Sequence, residues 1–505
     1  MKKFNKYLII LICSSLFFSC DEEFLTPDKN ALILEDNFYA DEEDAYGGLV
    51  AAYDLMRKQS GGFENLIAMM NAGSDDHLAG GGGATDGAGI QSFSNFTITG
   101  GTMPRSFWSD YYRGIFRANK MLEKLPGIPM NEDVKIRFTA ECKALRAFYH
   151  FELVRIFGNI PLLTRTLNTS EVFDVPQTPK EEVYAQIELD LIEAIADLPP
   201  MLPSPETEAG RFSKGSAQAL LGKVYLYEGK NALAAEQFAQ VNGTPGETSQ
   251  YGYKLLDSFA SLWIVDNKFH SEAILSASHT NLSNSTWDNY ASNSDEGNTL
   301  NVMVGPRGYT KKTDDAPDFA SGWSFNVITQ SLFDAMSGDP RFNSTIANLK
   351  LLKQEGKIDY ATDATYMDTG YYLRKFMPLK SDVTTGGGVA ETNYRQNTYI
   401  IRLADTYLME AEALGATGAR AQALLDAVRA RVGLGPVPVS MDAIMNERRL
   451  ELAGEGHRFF DLVRTGRAAT VLGPKGFISG RHEILPIPMQ ELNNTLIEQN
   501  PNYPN

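Results

Sequence analysis

Cysteine is almost absent. Of 505 residues only Cys13, Cys20 and Cys142 are cysteines, and two of these lie in the first twenty positions. One thiol in the remaining chain excludes a disulfide framework and any cysteine-based zinc site. Histidine is nearly as scarce. His77, His150, His270, His279, His457 and His482 are scattered, and none has a second histidine three or four residues on, so no helical turn offers a metal pair. The phosphate-cradling G-x-x-x-x-G-K-[ST], the nucleophile elbow G-x-S-x-G and the metalloprotease H-E-x-x-H do not occur. Positive charge is also short, with 46 Lys and Arg against 63 Asp and Glu and a formal charge of −17. Such a balance is wrong for nucleic acid, whose phosphates need cationic partners.

Long apolar runs are missing except at the start. There, Lys2, Lys3 and Lys6 precede an apolar stretch from Tyr7 to Phe18, interrupted by Cys13, Ser14 and Ser15, and small Ser19 leads into Cys20. The stretch is shorter than the roughly 20 residues that a bilayer requires, and its order of charge, apolar run and small residue is that of a secretory signal. A cysteine at that point reads as a lipid attachment site. Residues 1–19 are therefore expected to be a lipoprotein signal, Cys20 the acylated residue, and residues 20–36 a tether. The tether begins DEEFLTPDKN, which is acidic, contains proline and shows no periodicity. The protein is then expected at the outer membrane, anchored by lipid and facing outward.

Helical spacing dominates the long stretches beyond the tether. In ECKALRAFYHFELVRIFG, Ala144, Ala147, Phe148, Phe151, Val154 and Phe157 recur every three or four residues and Gly158 ends the run. EEVYAQIELDLIEAIADLP, closed by Pro199 and Pro200, reads the same way. In SAQALLGKVYLYEGKNALAAEQFAQV, the positions of Leu221, Gly222, Tyr225, Ala234 and Phe238 are those of a tetratricopeptide helix pair. IIRLADTYLMEAEALG, with Leu403, Ala404 and Tyr407, repeats the first-helix pattern, and ARAQALLDAVRARVG supplies a partner. Such pairs cannot bury their faces alone. Two pairs so far apart in sequence are expected to meet in space, with the chain between them looped out.

The fold expected is mainly α, a tetratricopeptide-repeat-like scaffold of helix pairs with long irregular ligand-binding loops. Residues 37–242 form its N-terminal helical region, 243–395 a loop-rich insertion rich in Asn, Ser, Gly, Asp and aromatics, and 396–505 a C-terminal helical region. A second irregular stretch, NAGSDDHLAGGGGATDGAGIQSFSNFTITGG, holds glycines that forbid a stable helix and allow close backbone approach.

Five blocks carry a resemblance. WSDYYRGIFRANKMLEKLP and AECKALRAFYHFELVRIFGNIPLL lie in the N-terminal half; YIIRLADTYLMEAEAL, ERRLELAGEGHRFFDLVRTG and ILPIPMQELNNTLIEQNPNY lie in the C-terminal half. With the lipid-cysteine signal, they make the chain resemble the SusD/RagB family of surface nutrient-binding lipoproteins. The resemblance implies four repeat-type helix pairs, an oligosaccharide ligand, a SusC-like TonB-dependent transporter as partner, and no enzyme activity, cofactor or metal. It does not name the sugar. A polysaccharide-degrading enzyme is the alternative, because a glycosidase needs only two carboxylates about 5 to 10 Å apart. A non-catalytic adhesion module is the third reading.

Sugars present flat C–H faces ringed by hydroxyls, so their sites pair aromatic planes with amides, carboxylates or arginine. Trp287 and Tyr290 stand in the polar run HTNLSNSTWDNYASNSDEGN, where no local apolar residues would bury them. Arg307 and Tyr309 lie in GPRGYTKK, and Trp323, in DFASGWSFNV, fits a ligand or a core role equally. Asp75 and Asp76 could accept from sugar hydroxyls or hold Ca²⁺, though such a pair more often caps a turn. These seven residues are the expected ligand-binding set. Trp108 and Trp263 are expected in the core. The Glu and Arg residues of ERRLELAGEGHRFFDLVRTG are expected to pair structurally rather than catalyse.

Overall fold

In the computed structural model, which describes residues 38–202, 205–282, 286 and 296–503, the expected leader, tether and Cys20 fall outside the described residues. After α1 (Glu42–Tyr53) and α2 (Ser106–Lys124), Asn131 opens α3 (Glu132–Phe157) by accepting from the backbone N–H groups of Asp133 and Val134. Gly158, at φ +75°, closes it where a side chain would be strained. The spacing of α3 suggests one apolar face, yet from Phe138 onward nearly every residue is buried. The reason is that α1, α2 and α4 (Lys180–Asp197) cover it from several sides. Its buried charges are matched: Arg146 forks onto Asp190 at 2.6 and 2.8 Å, and Arg155 pairs with Glu152.

Ser213 and Ser216 form a reciprocal cap at the start of α5 (Lys214–Tyr227), which turns into α6 (Asn231–Asn242). Gly222 is where these two helices meet, since a Cβ there would lie 2.8 Å from the Phe238 ring. Helices α2 to α6 each pack on the next, and α6 then packs on α7 (Leu403–Ala413), which pairs with α8 (Gly418–Arg431). The distant helix pairs thus join as the spacing predicts. Their seam is polar as well as apolar: buried Asn242 donates to the Thr406 carbonyl at 3.1 Å and to Glu410 at 2.7 Å, and the Thr406 hydroxyl returns a bond at 2.6 Å.

The chain between α6 and α7 holds short strands, short helices and 3₁₀ turns. Strand β1 (Ala273–Ala277) pairs antiparallel with β6 (Thr398–Arg402), so the start and end of this region are stitched together. Within it, β2 (Thr310–Lys311) pairs with β4 (Ile358–Asp359), and β3 (Ile346–Asn348) with β5 (Tyr371–Leu373). Most of its apolar side chains join the core of the helical stack. A second, smaller cluster around Tyr309, Phe319, Val327, Ile358 and Tyr372 has all its buried members in this region, with Leu78 of the glycine-rich stretch packed against it.

A buried ionic network ties this region to α9 (Met441–Glu451) and α10 (Arg458–Arg464). Glu451 meets Arg341 at 2.9 Å, Arg402 at 2.7 Å and also Arg431. Glu455 meets Lys375 at 2.7 Å and Arg402 at 2.8 Å, and Glu447 meets Arg341 at 2.6 Å. Arg448 bridges Asp405 and Asp461. The charges of the ERRLELAGEGHRFFDLVRTG segment do pair structurally, but most partners lie far away in sequence. Among the described residues no helix is long and apolar enough to cross a membrane.

Acid should undo this arrangement in two steps. Burial pushes the imidazoles of His77 and His457 down to about 4. For Asp461 and Glu451, burial acts upward but is outweighed by neighbouring arginines, which hold Asp461 near about 2 and Glu451 well below the usual carboxylate range. Every one of these groups has a folded pKa below its unfolded one. Each therefore contributes stability above the unfolded value, and that contribution is lost as pH falls through the folded value. The unfolding midpoint in urea should be flat only between about pH 7 and 8, because burial also pushes Lys223, Lys375 and Lys475 down to about 8. It should fall between roughly pH 6.5 and 4 as the histidines take up protons in the unfolded chain, then fall again between about pH 4 and 2 with the carboxylates. A midpoint constant from pH 7 to 4.5 would contradict the neutral burial of the histidines.

Candidate functional site

The glycine-rich loop folds back onto the segment around Trp323. Isolated antiparallel bridges join His77 to Ile328 and Gly80 to Phe325, and Gly81 donates to the Ser324 carbonyl at 2.8 Å. Gly80, at φ +68°, is needed for this approach: a Cβ there would lie 2.1 Å from the Ser324 oxygen. Ser324 is itself left-handed at φ +61°, unusual for a residue with a side chain. That turn is held by its N–H to the Gly305 carbonyl at 2.7 Å and by its hydroxyl, which accepts from the Arg307 N–H at 3.0 Å.

Two expected residues, Arg307 and Trp323, meet at this loop. Arg307 comes to the glycine loop, donating from Nε to the Trp323 carbonyl at 3.0 Å and from Nη2 to Asp86 at 3.0 Å. Asp86 also accepts from the Gly82 N–H at 2.7 Å, so the loop tip and the arginine are locked together. Trp323 is half-buried, its ring 5.8 Å from that of half-buried Phe63, which in turn packs edge-on against Phe325. Tyr366 donates its N–H to the Gly81 carbonyl at 2.9 Å and is also half-buried. The resulting surface has an aromatic wall, a neutralised guanidinium and carboxylate at its edge, and exposed glycine backbone.

Tyr309 does not share that surface, contrary to its polar neighbours in sequence. It is 6 % exposed, its ring lies 5.5 Å from Phe319, and its hydroxyl donates to the Pro317 carbonyl at 2.6 Å. Residues distant along the chain bury it, which a local reading of GPRGYTKK misses. Asp75 and Asp76 are also redirected. Arg458 forks onto Asp75 at 2.8 and 3.0 Å, and Arg449 holds Asp76, which is 1 % exposed, at 2.6 Å. Burial raises both carboxyls; the charge of Asp75 keeps Asp76 high, whereas Arg458 brings Asp75 below its ordinary value. They brace the loop stem against α9 and α10 rather than facing outward to sugar hydroxyls as expected. Among the described residues no group of three or more His, Cys, Asp or Glu could hold a metal.

Trp287 and Tyr290 lie outside the described residues. Trp108 is in the core beside Phe157, and Trp263 is half-buried at a cavity. Sequence reasoning missed Phe63, Asp86 and Tyr366. Only the excess of glycine around Asp86 pointed there; its pairing with Arg307, 221 positions away, carried no local signal.

Comparison with known proteins fits this arrangement. The SusD family profile matches residues 271–503, and a profile described as starch-binding associating with outer membrane matches residues 89–226. A solved structure called a laminarin-binding SusD-like protein is 62 % identical, with a TM-score of 0.90 over 92 % of this chain and 100 % of the other. The chain belongs to the SusD family. Surface glycan-binding protein A of Bacteroides thetaiotaomicron, solved in complex with laminarihexaose, is 25 % identical with a TM-score of 0.80, covering 91 % of this chain and 99 % of that one. A SusD-like protein of Formosa agariphila is 26 % identical over 96 % of each chain. The SusD fold thus accounts for the helical stack, and glycan binding is the property named for its solved neighbours.

Proposed function

We propose that this SusD-family chain is a non-catalytic glycan-binding lipoprotein, anchored through Cys20 at the outer membrane. It takes a neutral glucan of the laminarin type and hands it to a TonB-dependent transporter. The observation that carries the ligand reading is the Trp323 wall beside the glycine loop, in a chain 62 % identical to a laminarin-binding structure. Charge supports a neutral sugar. The Arg307 guanidinium is already matched by Asp86, and the chain as a whole is acidic, so a polyanion gains little here. Anchorage rests on the leader pattern, and the transporter on the family resemblance. Trp287 and Tyr290 belong to this proposed site on the strength of their polar sequence setting.

Isothermal titration with laminarihexaose tests it. Trp323→Ala should cost about 2 kcal/mol of binding, roughly a thirtyfold loss of affinity, a magnitude taken from aromatic hot spots. Its thermal midpoint should stay close to the parent's, because the ring is only half-buried. Unchanged affinity would remove Trp323 from the site, and release of reducing ends by the parent would favour the glycosidase alternative.

A further inference from the structure

A cavity of about 340 Å³ opens between the Phe259–Trp263 turn, the short helix Phe342–Thr345 and the segment from Arg374 to Asp382. Phe319, Met377 and Leu379 give it an apolar floor. Around them stand polar groups that have no side-chain hydrogen bond or ion pair among the described residues. Arg374 is exposed, forms no ion pair among the described residues, and holds its guanidinium over the Phe319 ring, 5.9 Å from the centre. Asn343 and Ser344 line the opening with side chains that make no hydrogen bond among the described residues, and the Trp263 side chain forms part of the wall. The other polar liners are spoken for: Gln396 donates to the Lys375 carbonyl and accepts from Asn301, and Asp382 pairs with Arg395.

An apolar floor ringed by unmatched donors suits a ring with a C–H face and hydroxyl acceptors at its edge. The cavity is also near the first site. Phe319 is four residues from Trp323, so their Cα atoms are at most about 14 Å apart. We propose that this cavity is a second saccharide subsite, which binds another sugar unit of the same glucan chain and so makes recognition depend on chain length.

The inference rests on the glucan reading above, and the test separates the two. The chain has four tryptophans, Trp108, Trp263, Trp287 and Trp323. With ¹⁵N-labelled indoles assigned by single Trp→Phe variants, titration with laminarihexaose should shift the Trp323 and Trp263 signals together and saturably. In the Arg374→Ala/Asn343→Ala double variant, the Trp263 signal should stop responding while Trp323 still shifts. Affinity for the hexasaccharide should fall roughly tenfold, and affinity for a laminari-disaccharide, too short to bridge both places, should not change. A Trp323 response with a silent Trp263 in the parent overturns the subsite and leaves the binding reading standing. Silence at both overturns both. Equal loss for the two sugar lengths in the double variant also overturns it, since that would mean a general disturbance of the fold.

Discussion

Glu451→Ala should lower the unfolding free energy by about 3–5 kcal/mol. The side chain is 0 % exposed and answers Arg341, Arg402 and Arg431 at once. Its removal takes a shared carboxylate from three interior guanidinium groups, which keep Glu447, Glu455 and Glu272 as partners, and the loss is mainly the cost of leaving the buried cluster one negative charge short rather than the net worth of the pairs. Urea unfolding at pH 7.5 measures it. The exposed pair between Arg467 and Asp442 provides the contrast, and Asp442→Ala should leave the midpoint where it is. A change under 1 kcal/mol for Glu451→Ala would mean that water reaches the network.

Tyr309→Ala should be nearly as damaging, with a loss of about 3–5 kcal/mol from the hole it leaves beneath Phe319. Tyr309→Phe keeps the ring and drops only the bond to the Pro317 carbonyl, at a cost of about 0.5–1.5 kcal/mol. This ordering distinguishes a packed residue from a sugar platform. An exposed platform would show the reverse, with little change in melting and a clear change in glucan affinity. Hydrogen exchange across β2 and β4 locates the loss, because Tyr309 directly precedes β2 and the buried members of its cluster all lie between α6 and α7.

These two residues mark what the sequence could convey. The helices, the use of Gly222 as a close contact and the meeting of α6 with α7 were readable, because each follows from spacing that a helix imposes on nearby residues. The structural role of the Glu and Arg residues after position 447 was also readable, though not their partners. The site was legible only in part. Arg307 and Trp323 do stand together at the glycine loop, but Tyr309, Asp75 and Asp76 were misjudged through contacts made far along the chain. Polar neighbours in sequence say nothing of burial where the backbone has no period. In such a region, a Phe ten residues on or an Arg nearly four hundred away decides the matter.

The seam between α6 and α7 has a consequence for how this scaffold can vary. Asn242 and Thr406 are 164 positions apart, yet they hold one continuous stack, with β1 and β6 drawing the intervening chain shut at its base. The entropy lost in closing a loop rises only with the logarithm of its length, so doubling such an excursion costs roughly 0.6 kcal/mol. Segments near its rim can be lengthened, shortened or exchanged at almost no thermodynamic penalty to the stack, provided Arg341, Lys375 and Arg402 still reach their carboxylates. A lineage meeting a new ligand can therefore rewrite the outer loops while inheriting the same helices.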